Sequence, residues 1–305
     1  MISPLPIEVD RPQEVHAPAR TARSYWQEAW GRLRRNTIGI VAGGLLLFFV
    51  LLAIFAPLVA SVLTHQDYRH IDLANPFAPP LSPGHVLGTD DLGRDELTRL
   101  IWGSRVSMGI GFLAVFVALT IGGVVGLFAG FYGGLIDGLL MRFVDIILAT
   151  PAIFLFILMS ILFKPNTITL ALIIASVGWG SIARLVRGEV LSVRSRDFML
   201  AGEALGARGS RLIFRHLLPN VLHVMIVFGS LYLGQVVLIE AALDFLGLGI
   251  NPPTPSWGNM LTNAETFFFH SRTLAIFPGI TIFLTVLAAN LFGNAVRDAF
   301  DPRLR

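Results

Sequence analysis

Six long runs without a charged side chain divide this chain, and they constrain its fold more than any other feature. At about 1.5 Å per helical residue, each run is long enough to cross the roughly 30 Å of hydrocarbon in a bilayer. The sequence therefore predicts an all-α integral membrane protein with six transmembrane helices. The runs are Ile38–Leu63, Val106–Ile136, Ile146–Phe163, Pro165–Ala183, Leu217–Ile239 and Thr273–Val296.

The composition agrees with this class and excludes several others. Hydrophobic residues make up 54% of the chain and charged residues 14%, with a mean hydropathy of +0.70. The absence of cysteine excludes disulfides, thiol catalysis and cysteine-ligated metals. The basic charge comes almost wholly from arginine and follows membrane topology, so we expect no nucleic-acid partner.

The basic residues lie mainly on one side of the predicted bundle. An even number of spans puts both termini on the same side, together with residues 184–216. That side carries all but six of the 23 Lys and Arg residues, so the positive-inside rule predicts cytoplasmic termini. The six on the outer side are Arg69, Arg94, Arg99, Arg105, Lys164 and Arg272.

The N-terminal region, residues 1–36, is predicted to stay outside the bilayer. Residues 1–19 are proline-rich and lack an apolar period, which is typical of a tail without fixed structure. Between Arg20 and Arg35, Trp26, Trp30 and Leu33 recur at helical spacing, which suits an interfacial elbow helix. The same segment equally suits a juxtamembrane arginine cluster. Residues 37–305 form the transmembrane domain, with spans at about 38–63, 106–131, 140–163, 166–190, 218–245 and 274–297 and a cytoplasmic loop at 191–217.

A polar island within that loop has the features of a short helix pair. Asp197 is a suitable N-cap, Gly206 can end the helix, and Arg208-Gly209-Ser210 favours a turn. Residues 211–218 place arginines on one side and apolar side chains on the other. Pro219 suits the first turn of the next helix, and the pair can dock on another protein.

Two outer loops are rich in turn formers. In Gly88-Thr89-Asp90 and Gly93-Arg94-Asp95 the aspartates lack EF-hand spacing, so we expect helix caps and an ion pair of Arg94 with a neighbouring carboxylate. Residues 245–258 contain Gly247 and Gly249 and are stiffened by prolines before Trp257. A fixed shape suits a docking surface or gate, because little conformational entropy is lost on contact; a plain hairpin is the alternative.

Few ionisable side chains lie within the spans. Asp145 is expected to pair with Arg142 on one helix face, while Glu240 and Asp244 stand near the outer end of the fifth span. None lies clearly at mid-depth, so close packing through small residues is favoured over a proton relay. The small residues are Gly122, Gly123, Gly126 and Gly130.

The order of segments resembles the ABC importer permeases of the peptide/opine/nickel uptake family, and within it the dipeptide/oligopeptide permease C-type subunit. The resemblance extends from Tyr25 to Arg305, and the polar island resembles that family's EAA loop, with Gly206, His216, Leu218 and Pro219 in register. The other matching segments are Gly88-Thr89-Asp90 with Gly93-Arg94-Asp95, Trp179 with 187–191, 245–249, 255–258 and 297–305.

Several positions depart from the family's pattern. Leu200 stands where the motif's Glu is expected, and Glu203 comes three residues later. Ala201 and Gly202 take the places of two alanines. The other departures are Asp244 for a small polar residue and Asn294 for an acidic one.

The resemblance implies a type I ABC importer permease fold in a bacterial or archaeal cytoplasmic membrane. The chain would share a path for small peptides with a second homologous permease, contact two ABC ATPase subunits or one heterodimer, and receive solute from an extracytoplasmic binding protein. It would bind no cofactor or metal and catalyse no reaction, with ATP and Mg held by the ATPases, since Lys164 lacks a P-loop context. The implied ATPase-coupling residues are Leu200, Ala201, Gly202, Glu203, Gly206, Arg208, Arg211, Arg215, His216 and Pro219. The implied binding-protein or gate residues are Gly88, Thr89, Asp90, Gly93, Arg94, Asp95, Gly247, Gly249, Pro255 and Trp257.

Other classes stay open on the residues alone. An ion-coupled secondary transporter needs coupling ions at mid-membrane. A membrane enzyme needs a nucleophile or metal cluster, and His216 and His223 stand two helical turns apart without a third ligand. Within the family, the residues do not separate peptides from nickel, opines or other small solutes.

Overall fold

The computed structural model describes residues 25–301, whose regular structure is entirely helical apart from two isolated β-bridges. The predicted tail, residues 1–19, lies outside this range. The helices are α1 (Tyr25–Leu33), α2 (Thr37–Ile54), α3 (Ala56–Leu63), α4 (Glu96–Tyr132), α5 (Gly134–Ala149), α6 (Ala152–Leu162), α7 (Thr167–Arg194), α8 (Asp197–Ala204), α9 (Gly209–Arg211), α10 (Leu218–Phe245), α11 (Trp257–Phe267) and α12 (Thr273–Phe300). A π-helical turn, Leu212–Leu217, joins α9 to α10.

The all-α membrane class is confirmed. Among the described residues, five helical segments are long and apolar enough to cross a membrane, and a sixth is present if the bent pair α5 and α6 forms one span. The segment predicted as the third span, at about 140–163, is not one straight helix, because α5 and α6 meet at 86°. Thr150 takes extended angles, φ −86° and ψ 128°, since the ring of Pro151 disfavours helical geometry in the residue before it.

Glycines allow α4 to lie directly against α7. A Cβ atom added at Gly122 would be 2.6 Å from the carbonyl oxygen of Trp179, and one at Gly130 would be 2.7 Å from Cβ of Val190. Gly126 meets the Ala183 carbonyl in the same way. The predicted packing role of these small residues is confirmed, and it fixes the central pair of the bundle.

Two charged contacts fasten α5 to α7. Asp145 does not pair with Arg142 as predicted; it accepts a hydrogen bond from Nη2 of Arg184 at 2.6 Å. Arg187 donates two hydrogen bonds to Asp137, at 3.0 and 2.6 Å. Because α7 packs across α5, arginines of α7 reach these carboxylates in place of a partner on α5 itself. The two parallel hydrogen bonds from Arg187 to Asp137 make a strong pair.

The bundle has two ends, named here by what they carry. The long-loop end carries residues 64–95 and 246–256. The short-helix end carries α8, α9, the π-helical turn and α1. There Arg32 of α1 donates from Nη1 to the carbonyl oxygen of Asp301 at 2.7 Å, which ties α1 to the end of α12. Trp30 is 54% exposed, with the Arg34 guanidinium 4.9 Å from its ring centroid. The interfacial position of α1 stays a prediction.

Candidate functional site

The short helix α8 begins at Asp197, the residue that was predicted to be its N-cap. Arg196 occupies the N-cap with extended backbone angles and no side-chain cap, and Asp197 is the first helical residue. The prediction of Asp197 as the N-cap is therefore wrong by one position. In the first turn its negative charge still faces the positive end of the helix dipole.

The end of α8 follows the predicted geometry. Gly206 has a φ of +77°, a conformation that glycine adopts without steric cost. Its N–H donates to the Glu203 carbonyl at 2.9 Å, and the Ala207 N–H donates to the Gly202 carbonyl at 3.0 Å. These two bonds form a Schellman motif, which satisfies carbonyls that the helix itself leaves unpaired.

Buried apolar contacts hold α8 on the bundle. Met199 is completely buried, and Gly202 lies so close to Leu212 that an added Cβ would be 3.1 Å from Cδ2 of that side chain. Leu212 and Leu217 of the π-helical turn are also buried. Pro219 lies in the first turn of α10 as predicted, and Asn220 Nδ2 donates to the His216 carbonyl at 2.7 Å.

The opposite face of this segment is exposed and apolar, with a basic rim. The side chain of Leu200 is 54% exposed, and that of Leu205 is 88% exposed. His216 is half-buried, with its ring 6.4 Å from that of Phe198. We call this face the coupling surface and define it as Phe198, Leu200, Leu205, Phe214, Arg208, Arg211 and Arg215. Sequence reasoning missed the buried anchor Met199, whose side chain is turned about 100° around the helix from that of Leu200.

At the long-loop end, residues 88–95 form a buried polar network. Asp90 is 2% exposed; it accepts hydrogen bonds from the N–H groups of Leu92 and Arg94 and from Nε of Arg94 at 2.7 Å. Nε of Arg99 lies 3.5 Å from the same carboxylate. Partial burial raises the pKa of Asp91, and the adjacent charge of Asp90 acts in the same direction. The predicted ion pair of Arg94 is confirmed.

Neighbouring residues fix the shape of that segment. Asp95 caps α4 as predicted, accepting from the N–H of Thr98 at 2.8 Å, and it also lies 2.9 Å from Nδ1 of His85. Thr89 bridges to the Asn75 carbonyl at 2.6 Å. Gly88 and Gly93 have positive φ angles, and a side chain at Gly93 would run into the Asp72 carbonyl.

The second predicted loop is pinned by α11, a helix that the sequence analysis missed. Ser256 and Asn259 form a reciprocal capping box at its start. These two residues are the signal in the sequence that could have predicted this helix. Asn259 Nδ2 also donates to the carbonyls of Ile250 and Thr254 at 3.0 and 2.9 Å. Trp257 is fully buried, and its Nε1 donates to the Leu100 carbonyl on α4 at 3.1 Å.

The other implied gate residues of the 246–256 loop support the same fixed shape of that loop. Gly247 has a φ of +73° just after α10, and Gly249 lies against the Asp244 carboxylate. Pro255 is buried. The ten implied coupling residues therefore lie at one end of the bundle, and the ten implied gate residues lie at the other.

Comparison with known proteins assigns this two-ended bundle to a family. The family described as binding-protein-dependent transport system inner membrane component matches residues 122–305, and the N-terminal transmembrane domain of oligopeptide transport permease C matches residues 24–80. The chain belongs to this permease family. The permease is accordingly a multi-pass protein of the inner membrane.

Three similar proteins cover almost the whole permease. The dipeptide transport system permease protein DppC of Alkalihalophilus pseudofirmus is 42% identical over 93% of this chain and 92% of its own. The oligopeptide transport system permease protein OppC of Bacillus subtilis is 36% identical over 94% and 92%. The glutathione transport system permease protein GsiD of Pectobacterium atrosepticum is 35% identical over 94% of each chain. The relatives are transport permease subunits.

The departures from the family's pattern fall in different environments of the permease. Leu200, in place of the motif's Glu, and Asn294 are exposed, whereas Asp244 is 2% exposed. An exposed side chain makes few contacts within the chain, so a change there disturbs the core little. A buried carboxyl group instead needs its own hydrogen-bond donors.

Proposed function

We propose that this permease is one of two membrane subunits of an ATP-driven importer for small peptides. The names of its relatives support the solute class, because they assign dipeptides, oligopeptides and glutathione to those proteins. All three solutes are small molecules with peptide bonds and charged groups. A second homologous permease would complete the path.

The coupling surface is the observation that carries the proposal. Exposed apolar side chains such as Leu200 and Leu205 are grouped beside exposed arginines. A protein partner covers such a group at an interface, where apolar anchors supply most of the binding energy. We infer that an ABC ATPase subunit docks here, with ATP and Mg held on the ATPases and no catalytic role for the permease itself.

The packing of α8 provides a mechanical route for coupling. Gly202 of α8 packs against Leu212 of the π-helical turn, Met199 lies in the same buried core, and that turn continues into α10. Because packed side chains resist sliding, a displacement of α8 carries the start of α10 with it. Closure of the ATPases would then switch the spans between two states of access.

The long-loop end is proposed to face the solute-binding protein, with both termini in the cytoplasm. The distribution of arginines supports this orientation. A cysteine at Thr254 tests it without background, since the chain has no other cysteine. We expect labelling by an impermeant thiol reagent added outside intact cells. Labelling that requires access to the cytoplasm would invert the orientation.

Uptake by the reconstituted importer tests coupling and solute together. A labelled dipeptide should accumulate only when ATP is supplied, and accumulation should survive collapse of the proton gradient. Uptake that needs the gradient and ignores ATP would identify an ion-coupled secondary transporter. Competition by nickel or opines, and none by peptides, would reassign the solute within the family. The purified permease alone should hydrolyse no ATP.

A further inference from the structure

Two carboxyl groups are buried together near the end of α10. Glu240 and Asp244 stand one helical turn apart, with exposed fractions of 0% and 2%. Ionisable side chains inside membrane helices are uncommon and usually have a function. Neither residue belongs to the coupling surface or to the Asp90 network.

The two carboxyl groups differ in the donors that reach them. Asp244 accepts hydrogen bonds from the N–H of Ile250 at 2.6 Å and from Oγ of Ser256. Oε1 of Glu240 accepts from Oγ of Ser107 at 2.9 Å. Oε2 of Glu240 receives no hydrogen bond from an N–H or hydroxyl donor in residues 25–301. The Asp244 carboxyl group stands one helical turn away on the same helix.

The burial of two carboxyl groups one helical turn apart requires a proton, because two like charges are disfavoured in a buried site. Two ionised carboxylates are acceptors only and cannot hydrogen-bond to each other. Asp244 already has two donors, whereas Oε2 of Glu240 has none. The proton therefore belongs on Oε2 of Glu240.

The surrounding helices bring no compensating charge to the pair. On α4, Arg99 lies 3.5 Å from Asp90, and Arg105 lies over the Trp102 ring at 5.9 Å. On α11, Glu265 is exposed. The sequence of α2 contains no ionisable residue, and those of α7 and α12 stand in the second half of each helix, toward the other end of the bundle. The charge of the pair thus depends on its own proton.

We propose that Glu240 and Asp244 form a proton-operated latch for the 246–256 loop. Asp244 holds the loop through Ile250 and Ser256. Glu240 extends the same network through Oγ of Ser107, which accepts from the N–H of Trp257 at 3.1 Å.

The direction of the pH effect follows from the charges. With the proton bound, the pair carries one negative charge and the loop is held. Loss of the proton as the pH rises leaves two like charges in a buried site, which disfavours the closed state. The loop and the start of α11 then separate from α10 and admit water.

The rate of thiol labelling measures this opening in the full chain purified in detergent, so that the result does not depend on membrane orientation. A cysteine at half-buried Thr254 reports the loop, and a cysteine at Leu73, 73% exposed, reports the ordinary titration of a thiol. The ratio of the two rates should be constant at mildly acidic pH. It should rise about tenfold at alkaline pH, which corresponds to about 1.4 kcal/mol in the opening equilibrium.

Isosteric amides remove the charge and supply an N–H in place of the proton. Glu240→Gln should abolish the rise and leave the ratio at acidic pH unchanged. Asp244→Asn should also abolish the rise, although it removes one of the two oxygens that accept from Ile250 and Ser256 and so raises the ratio at every pH. Glu265→Gln is the matched control on α11 and should retain the rise. If either amide disturbs folding, Asp244→Ser gives a neutral side chain of smaller volume and should also give a flat ratio.

Three outcomes would overturn the latch. One is a flat ratio in the wild type across the whole pH range. Another is a rise of equal size in the wild type, Glu240→Gln and Asp244→Asn. The third is a rise that disappears in Glu265→Gln and persists in both amides, which would move the titrating group to α11.

Discussion

At the long-loop end, the charged side chains of Asp90 and Arg94 are 2% and 4% exposed, and they bond to each other. At the short-helix end, Leu205 is 88% exposed and Phe214 is 65% exposed, beside the exposed Arg211. A buried charge is stable only when its partners are present. By contrast, covering an exposed apolar group with a partner is favourable. The Asp90–Arg94 pair finds its partners within one chain, whereas the short-helix end is shaped for a partner.

This difference separates two kinds of mutant. Substitutions in the Asp90 network should lower the stability of the isolated permease. Substitutions on the coupling surface should change transport while the isolated permease keeps its stability. The predictions below test that separation, beginning with the largest expected effect.

Asp90→Ala should destabilise the permease by about 3–5 kcal/mol, because it leaves Arg94 and Arg99 buried without their carboxylate. The measurement is the free energy of unfolding in detergent. Asp91→Ala is the control: its carboxylate is partly exposed and lies 3.7 Å from Arg94, so about 1 kcal/mol or less is expected. Equal losses in both variants would show that the buried network does not stabilise this end.

Leu200→Asp should strongly reduce ATP-dependent uptake, because it puts a charge where apolar burial of about 1.5–3 kcal/mol is expected in the complex. Leu200→Met should keep most of the uptake. Both variants should insert into the membrane and unfold like the wild type. Equal uptake by wild type and Leu200→Asp at matched expression would mean that residue 200 stays in solvent and that coupling lies nearer Gly206.

Gly206→Ala should destabilise the turn that ends and positions α8 by about 1–2 kcal/mol, since a Cβ disfavours a left-handed backbone. Weaker binding of the ATPase to the purified permease would report this loss. Gly188→Ala offers a contrast on α7: the site is exposed, with open space around the added Cβ, and alanine should stabilise that helix by up to about 1 kcal/mol. The same sign of change in both variants would argue against a special role for the Gly206 conformation.

Arg211→Gln and Arg215→Gln should have the smallest effects. Each should weaken the free energy of ATPase binding by about 0.2–1 kcal/mol, because exposed charges are screened by water and salt. With Leu200 in place of the family's Glu, ATPase binding should also vary little with ionic strength. A titration of binding against salt checks both points. A steep salt dependence that these substitutions remove would make charge the main part of the contact.

Local chemistry made several elements predictable. Gly206 ends α8, Asp95 caps α4 and Pro219 begins α10, because each depends on the residue's own backbone or side chain and a few neighbours. The bend at Pro151 was missed because the apolar run continues through it. Helix α11 was also missed, although Ser256 and Asn259 gave a local signal.

The sequence by itself determined the membrane class, the number of apolar runs and the two segments at opposite ends of the bundle, because hydropathy and turn chemistry are properties of short stretches. The tertiary structure decided which charges meet. Arg187 finds Asp137 50 positions away, and Ser107 finds Glu240 133 positions away. Periodicity gives the face of one helix, but such contacts depend on the crossing of two helices. That crossing is set by close packing at residues such as Gly180, between α7 and α5, and Gly111, between α4 and α10.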